Sequence, residues 1–288
     1  GDLATAPAVT RLTLDPLSRA ATTLLAEAGQ ADGDELFRIT GGNPFFVTEV
    51  LSARSRDLPA TVRDAVLARV ARLSPEARQA VEVAAAIGVR MDPRVLANVI
   101  QAAGTPRWSM QEAINAGVLE QQGLTLAFRH ELAQAAIAGA TSPERAERLH
   151  ATILAELRGR TTGPDDYAIL TRHAELAGDD RTVLDLAPLA AERAAALGAH
   201  RESADLYGKA LERARDQPLA VSRLLERRGA QHYASRQFIN AMSDHRAAAH
   251  LCQELGDPLG QARNLIRTAY LGLARGERTE SEATLSAA

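Results

Sequence analysis

Sets of small residues at helical spacing recur along the second half of the chain, and this recurrence limits the possible fold more than any other feature. The three sets are Ser203, Tyr207 and Ala210, then Ala241, His245 and Ala248, then Ser281, Leu285 and Ala288. Small side chains allow two antiparallel helices to pack closely. Aromatic residues are only 3% of the chain, and alanine is abundant among its hydrophobic residues, a composition that favours helices over strands. The sequence therefore predicts a mainly α fold.

The recurring sets follow the tetratricopeptide pattern, although their steps exceed the ~34 residues of the standard repeat. We predict a tetratricopeptide-like α-solenoid over residues 159–288, after a polar linker at 158–166. Each repeat of such a solenoid buries its apolar face only against its neighbours, so a terminal repeat needs a polar cap. The last set stops at Ala288 without one. We therefore expect the array to be incomplete at its C-terminus and the chain to be a piece of a longer protein.

Helix-start signals divide the preceding part of the chain. Ser74-Pro75 and Asp92-Pro93 each pair a capping side chain with a proline at the first helical position. The sequence predicts helices over 60–73, 75–87, 93–102 and 107–116, with Trp108, Met110 and Ile114 in the core. A hairpin of residues 118–121 and 124–128 follows, with its turn at Gln122-Gly123. This order predicts a winged-helix domain over residues 57–158.

The first 56 residues show shorter elements. We predict a strand over 9–14, then a helix capped by Ser18, whose apolar face includes Leu24 and Leu25. A second helix is predicted over 34–40. It stops at Gly41-Gly42-Asn43-Pro44, and a third helix begins at Pro44. On spacing alone, this segment also fits a simple helix–helix connection.

Charge and composition exclude several classes of partner. The formal net charge of −3 gives no general attraction to nucleic acid or anionic lipid, and the helix predicted at 107–116 carries a single basic residue, Arg107. No apolar run approaches the ~18 residues of a membrane span. The N-terminus does not resemble a secretion signal, and Cys252 is the only cysteine. We expect a cytoplasmic protein that does not bind a membrane.

Catalytic and metal sites lack the residues that they require. Lys209 is the only lysine, and it lies in Tyr207-Gly208-Lys209-Ala210, with no hydroxyl after it and Ser203 in place of the first glycine of a P-loop. The chain is therefore not a complete P-loop ATPase, and we expect no enzyme activity, catalytic residue or metal site. His130-Glu131 begins a zinc-protease motif, but Gln134 stands where the second histidine belongs.

Three runs carry a family resemblance. TGGNPFFVTEVL, LPATVRDAVLARVARLSPEARQAVEVAAAIG and FRHELAQAAI occur in this order within residues 9–155. Together they closely resemble the STAND-type regulatory ATPases, in particular the large ATP-binding regulators of the LuxR type. The resemblance implies that residues 1–56 end a nucleotide-binding domain and form its helical lid. It also implies nucleotide contact at Gly42, Asn43 and Pro44, with Pro44 on the adenine. His130 would sense the β-phosphate of ADP from an interdomain face; a surface or helix-capping histidine is the alternative.

The same resemblance implies a regulatory and sensor segment of an ATP/ADP-switched transcriptional regulator. ATP or ADP would bind the intact parent through an upstream nucleotide-binding domain, and we expect none bound to this chain alone. An unidentified inducer or protein would bind the helical repeats, and DNA would be bound only through a C-terminal helix-turn-helix outside this chain. Two alternatives stay open: a nucleotide-independent interaction scaffold, or the same module attached to a cyclase or kinase output.

Overall fold

A computed structural model of the chain describes residues 15–29, 31–52, 60–106, 108–160, 163–274, 276 and 278–287. The chain divides into two compact units, Gly1–Ala146 and Glu147–Ala288. Both units are built mainly of helices, which confirms the predicted mainly α fold class. The strand predicted over 9–14 lies outside the described residues. In the part of the chain that the structure describes, no helix is long and apolar enough to cross a membrane.

Three short helices open the first unit. Ser18 caps the first of them as predicted, because its Oγ accepts the N–H of Ala21 at 3.2 Å. The predicted apolar face of this helix is wrong: Leu24 is 68% exposed, whereas Ala26 is buried with Leu36 and Val47. The buried side of this helix is the side that contacts the two following helices, although it does not carry the largest apolar residues. The three helices are α1 (Arg19–Ala28), α2 (Gly33–Thr40) and α3 (Pro44–Ser52).

Six further helices begin within the first unit, and the capping signals explain where they start. Ser74 Oγ accepts the N–H of Ala77 at 3.2 Å, and the carboxylate of Asp92 accepts the N–H of Arg94 at 2.7 Å. The helices predicted over 75–87 and 93–102 have those bounds, whereas the helices predicted over 60–73 and 107–116 are shorter. The six helices are α4 (Ala60–Val70), α5 (Pro75–Ile87), α6 (Pro93–Ala102), α7 (Ser109–Asn115), α8 (Glu131–Ala140) and α9 (Pro143–Arg158).

A three-stranded antiparallel sheet completes the first unit. Its strands are β1 (Arg90–Met91), β2 (Leu119–Gln122) and β3 (Thr125–Phe128), in the order β1-β3-β2. The hairpin is confirmed, but Gln122 pairs with Thr125, so the turn is Gly123-Leu124 and not Gln122-Gly123. β1 was not predicted, because two residues are too few to show an alternating pattern.

The helix α7 corrects a second prediction about the core. Trp108, which we expected to be buried, is 56% exposed, whereas Ser109 and Ala113 are fully buried. Glu112 turns back to the start of α5 and accepts the backbone N–H of Ser74 at 2.7 Å and its hydroxyl at 2.6 Å. These two hydrogen bonds hold the pKa of the Glu112 carboxyl below its usual value. α7 therefore packs through its small residues and is joined to the start of α5 by the hydrogen bonds of Glu112.

The second unit is a stack of helices in which neighbours in sequence pack on each other. Ala187 and Ala191 of one helix meet Tyr207 and Ala210 of the next in a single core, so the first set of small residues is buried as predicted. Leu285 of the third set is 40% exposed, and Ala288 lies outside the described residues. After α9, the helices are α10 (Tyr167–Leu176), α11 (Asp180–Ala196), α12 (His200–Arg213), α13 (Pro218–Ala234), α14 (Phe238–Glu254), α15 (Pro258–Ala274) and α16 (Arg278–Ala287).

Candidate functional site

The turn between α2 and α3 depends on two consecutive left-handed glycines. Gly41 and Gly42 have φ values of 59° and 71°, a region that residues with a Cβ rarely occupy. The N–H of Leu17 donates to the carbonyl of Gly42 at 2.8 Å, and a Cβ at Gly42 would lie only 2.2 Å from the carbonyl oxygen of Leu17. The chain can therefore pass close to the residues before α1 only because glycine is present.

Asn43 and Pro44 then start α3. The side-chain oxygen of Asn43 accepts the N–H of Phe45 at 3.0 Å, and its carbonyl accepts the N–H of Val47 at 2.9 Å. Pro44 occupies the first helical position and is exposed. This arrangement satisfies backbone donors at the helix start, and proline has no N–H to leave unpaired there. The side chain of Pro44 is therefore available on the surface of the first unit.

His130 lies between β3 and α8 and is packed against the same turn. Its ring stands edge-on to the ring of Phe46, with the centroids 5.1 Å apart and an interplanar angle of 88°. A Cβ at Gly41 would lie 2.7 Å from His130 Nδ1, so the glycine makes room for the imidazole. His130 is only 8% exposed and its side chain makes no capping hydrogen bond, which contradicts the surface and helix-capping alternatives.

Burial sets the protonation state of His130. Burial, with a smaller effect of the nearby Arg129 and Arg69 charges, lowers its pKa to about 4. The ring is therefore neutral at pH 7. Among the described residues, its Nδ1 has no hydrogen-bond partner. A buried polar atom without a partner costs free energy, so His130 holds an unused hydrogen-bonding position beside the glycine turn.

Asn43 and His130 meet at one cavity of about 210 Å³. Phe46, Val118 and the basic residue Arg69 also line it, whereas Gly42 and Pro44 do not. Two of the four predicted site residues are thus brought together from distant parts of the sequence. The cavity is smaller than the ~300–1,000 Å³ of sites that enclose a whole ligand, and would accept one ring or one small polar group.

The prediction did not include Gly41, Phe46 or Arg69, which belong to the same site. Gly41 and Phe46 stand in the predicted glycine–asparagine–proline segment, so their positions were a usable signal. Arg69 lies on α4 beside Val66, another lining residue. Nothing in the local sequence distinguishes it from Arg63, the other arginine of that helix.

An ion pair holds α2 close to the start of α8. Arg38 pairs with Glu131 of the first turn of α8, and its Nε also donates to Glu35 on its own helix at 2.8 Å. A carboxylate in the first turn is favourable to the helix dipole of α8. These groups are partly exposed, so their contribution is to fix the position of the two helices rather than to add much stability.

Across the described residues, no group of three or more histidine, cysteine, aspartate or glutamate side chains is arranged to hold a metal ion. The arrangement around His130 offers a neutral imidazole, an amide and a guanidinium, a set of groups suited to binding. These groups suit a small polar or negatively charged group at the cavity.

No protein-family model matches the chain, and the comparison with curated proteins gives no match. Among solved structures, the chain is similar to a Signal Transduction ATPase with Numerous Domains (STAND) protein with a tetratricopeptide repeat sensor from Pyrococcus horikoshii. The TM-score is 0.37 at 12% sequence identity, and the match covers 96% of this chain and 55% of that chain. The chain thus spans about half the length of this STAND protein.

Proposed function

We propose that the chain is the regulatory and sensor segment of an ATP/ADP-switched transcriptional regulator in the cytoplasm, and that it is not itself an enzyme. In this proposal α1–α3 form the lid of a nucleotide-binding domain, residues 57–158 form a winged-helix domain, and α10–α16 form the sensor array. The observation that carries it is the meeting of Asn43 and His130 at one cavity, where the two predicted nucleotide-contact segments touch.

The residues of this chain would act on the nucleotide as positioning and sensing groups. Pro44, exposed at the first turn of α3, would contact the adenine, and the glycine turn would hold it in place. His130 would donate a ring N–H to the β-phosphate of ADP; its imidazole is neutral at pH 7, and its Nδ1 has no hydrogen-bond partner among the described residues. The triphosphate-binding loop itself would come from the upstream domain of the parent protein.

Switching would follow from a difference in these contacts. An ADP β-phosphate held by His130 would favour the closed arrangement, in which the lid and the winged helix pack together. ATP, together with an inducer on the array, would favour an open and self-associating form. A ligand shifts such an equilibrium only by its difference in affinity for the two states. A C-terminal helix-turn-helix of the parent would then bind DNA.

The test uses the parent protein with its upstream P-loop domain. We expect Pro44→Ala to weaken the binding of ADP and of ATP alike, by about 10-fold. We expect His130→Gln to weaken ADP binding by about 10-fold and ATP binding by less. Isothermal titration calorimetry with both nucleotides measures this. Pro218→Ala is the matched control for Pro44, because Pro218 also starts a helix and is exposed, and His250→Gln controls for the loss of a histidine at an exposed position. Unchanged ADP affinity and ATP/ADP preference in both site variants would refute the assignment.

The domains that the parent gene encodes distinguish the nucleotide switch from the interaction-scaffold alternative. A coding sequence without a P-loop domain before Gly1 would contradict the nucleotide switch and favour the scaffold. A cyclase or kinase domain in place of the helix-turn-helix would keep the switch and change only the output.

A further inference from the structure

We propose that the helical array contains a binding site for a small aromatic carboxylate, in the cavity between α13, α14 and α15. The cavity has a volume of about 600 Å³, within the ~300–1,000 Å³ typical of ligand pockets. This inference deepens the proposed sensor role and rests on it for its biological meaning. It names the place on the array and the chemistry of the molecule that fits there.

Two tyrosines give the cavity its aromatic walls. Tyr233 of α13 is 57% exposed and Tyr270 of α15 is 65% exposed, and both line the cavity. Tyr233 also contacts Phe238, with ring centroids 5.9 Å apart, which restricts its rotation. Tyrosine is intermediate in burial, and an exposed tyrosine ring provides a flat apolar face with a polar tip. These walls favour a ligand with a planar ring.

The charges at the cavity select an anion. Glu226, the carboxylate that lines it, is paired with Arg263 at 3.2 Å. Arg267 also lines the cavity, and in the described part of the chain it has no carboxylate partner. It lies one helical turn before Tyr270, so the two side chains share a face of α15. An exposed guanidinium beside an aromatic face fits a carboxylate attached to a ring, because arginine binds carboxylates with two parallel hydrogen bonds.

His245 of α14 gives the cavity a polar floor. It is buried, and its Nδ1 lies 2.8 Å from Oδ1 of Asn264. The Asn264 amide donates to the carbonyl of Gly260 at 2.9 Å, which orients its oxygen toward the histidine. On this network Nδ1 carries the proton and Nε2 is left as an acceptor. Its Nε2 lies against Gly229, where a Cβ would be only 2.9 Å away, so glycine at this position leaves room for the imidazole at the cavity wall.

The experiment measures binding to the full chain without nucleotide. The probes are benzoate and indole-3-acetate, each compared with its uncharged carboxamide, in ligand-observed NMR titrations. We expect saturable binding of at least one carboxylate with a Kd below about 1 mM, and binding at least about 10-fold weaker for its carboxamide. Arg267→Gln should weaken the carboxylate about 10-fold and leave the carboxamide unchanged. Tyr270→Ala should weaken both.

Arg223→Gln is the control, because Arg223 is an exposed arginine of α13 outside the cavity lining. Arg267 and Tyr270 are exposed, so thermal unfolding followed by circular dichroism should be the same for all variants. No saturation by either carboxylate, or equal affinity for acid and amide, or equal affinity in Arg267→Gln, would overturn the proposal. None of these results bears on Pro44 or His130, and failure of the nucleotide test leaves this binding unaffected.

Discussion

The imidazole of His130 stands edge-on to the phenyl ring of Phe46, at 5.1 Å between centroids. The two residues are far apart in sequence, and each lies within a run that carries the family resemblance. Edge-to-face packing places the positive ring edge of one side chain on the negative face of the other. The contact therefore fixes the orientation of the histidine, and with it the position of Nδ1, which has no hydrogen-bond partner in the part of the chain that the structure describes.

Gly41→Ala should destabilise the first unit more than Gly123→Ala. Both glycines have φ near 60°, so each substitution carries the ~1–2 kcal/mol of a left-handed residue. Only the Cβ at Gly41 would also collide with His130, since a Cβ at Gly123 would have no described atom within 4 Å. We expect an additional loss of about 1–3 kcal/mol. Urea unfolding followed by the fluorescence of Trp108, the single tryptophan, measures the difference. Equal losses would contradict the contact.

Acidification should weaken the first unit through His130. Its pKa of about 4 in the folded state lies below the ~6.5 of an unfolded histidine. Between these values the unfolded chain binds more protons, so the free energy of unfolding falls as pH falls. We expect His130 to account for about 1–2 kcal/mol of the loss between pH 7 and 5. His130→Leu removes the contribution of His130, so the free energy of unfolding of this variant should depend less on pH. Urea unfolding followed by Trp108 fluorescence measures it. An identical dependence would refute a neutral buried His130.

His150→Leu should destabilise the second unit. His150 and His173 are both buried, with their Nδ1 atoms 2.9 Å apart. One ring must donate and the other accept, and burial lowers the pKa of both. The substitution leaves the Nδ1 of His173 without this partner, which should cost about 1–3 kcal/mol. Far-ultraviolet circular dichroism during thermal unfolding measures it. His250→Leu, at an exposed position, is the control, and an equal effect of both would contradict the pair.

Gly139→Ala should stabilise the first unit. Gly139 lies inside α8 and is exposed, and a Cβ there would meet no atom of the described residues within 4 Å. Alanine restricts the unfolded chain more than glycine does, so we expect a gain of about 0.5–1 kcal/mol. Urea unfolding followed by Trp108 fluorescence measures this change in the free energy of unfolding. A loss of stability would contradict the open space around Gly139.

Helix starts could be predicted from the sequence because their causes are local. Ser74 and Asp92 each bond to a backbone N–H two or three residues ahead, and the following prolines suit the first helical position. The burial of Ser203, Tyr207 and Ala210 was predictable for a similar reason, because helices that neighbour each other in sequence also pack together. In the array, the helices that the sequence pattern predicts are also the helices that contact each other.

The predictions that failed depend on partners that lie far away in sequence. The exposed side of α1 carries Leu24 because α2 and α3 cover Ala26 instead. Trp108 is exposed because α7 packs through small residues. In the candidate site, sequence motifs pointed to Asn43 and His130, but only the fold adds Arg69 to the same cavity. A local sequence pattern does not show which residues from distant segments will line the same cavity.

The stacking of each array helix on its neighbours in sequence has a kinetic consequence. Contacts that are short along the chain close small loops, so the array has low contact order and can nucleate at any repeat. The sheet of the first unit instead needs Arg90 to find Ala127 before β1 can pair with β3. Refolding of the array should therefore outpace formation of the sheet, and the two processes should separate in time.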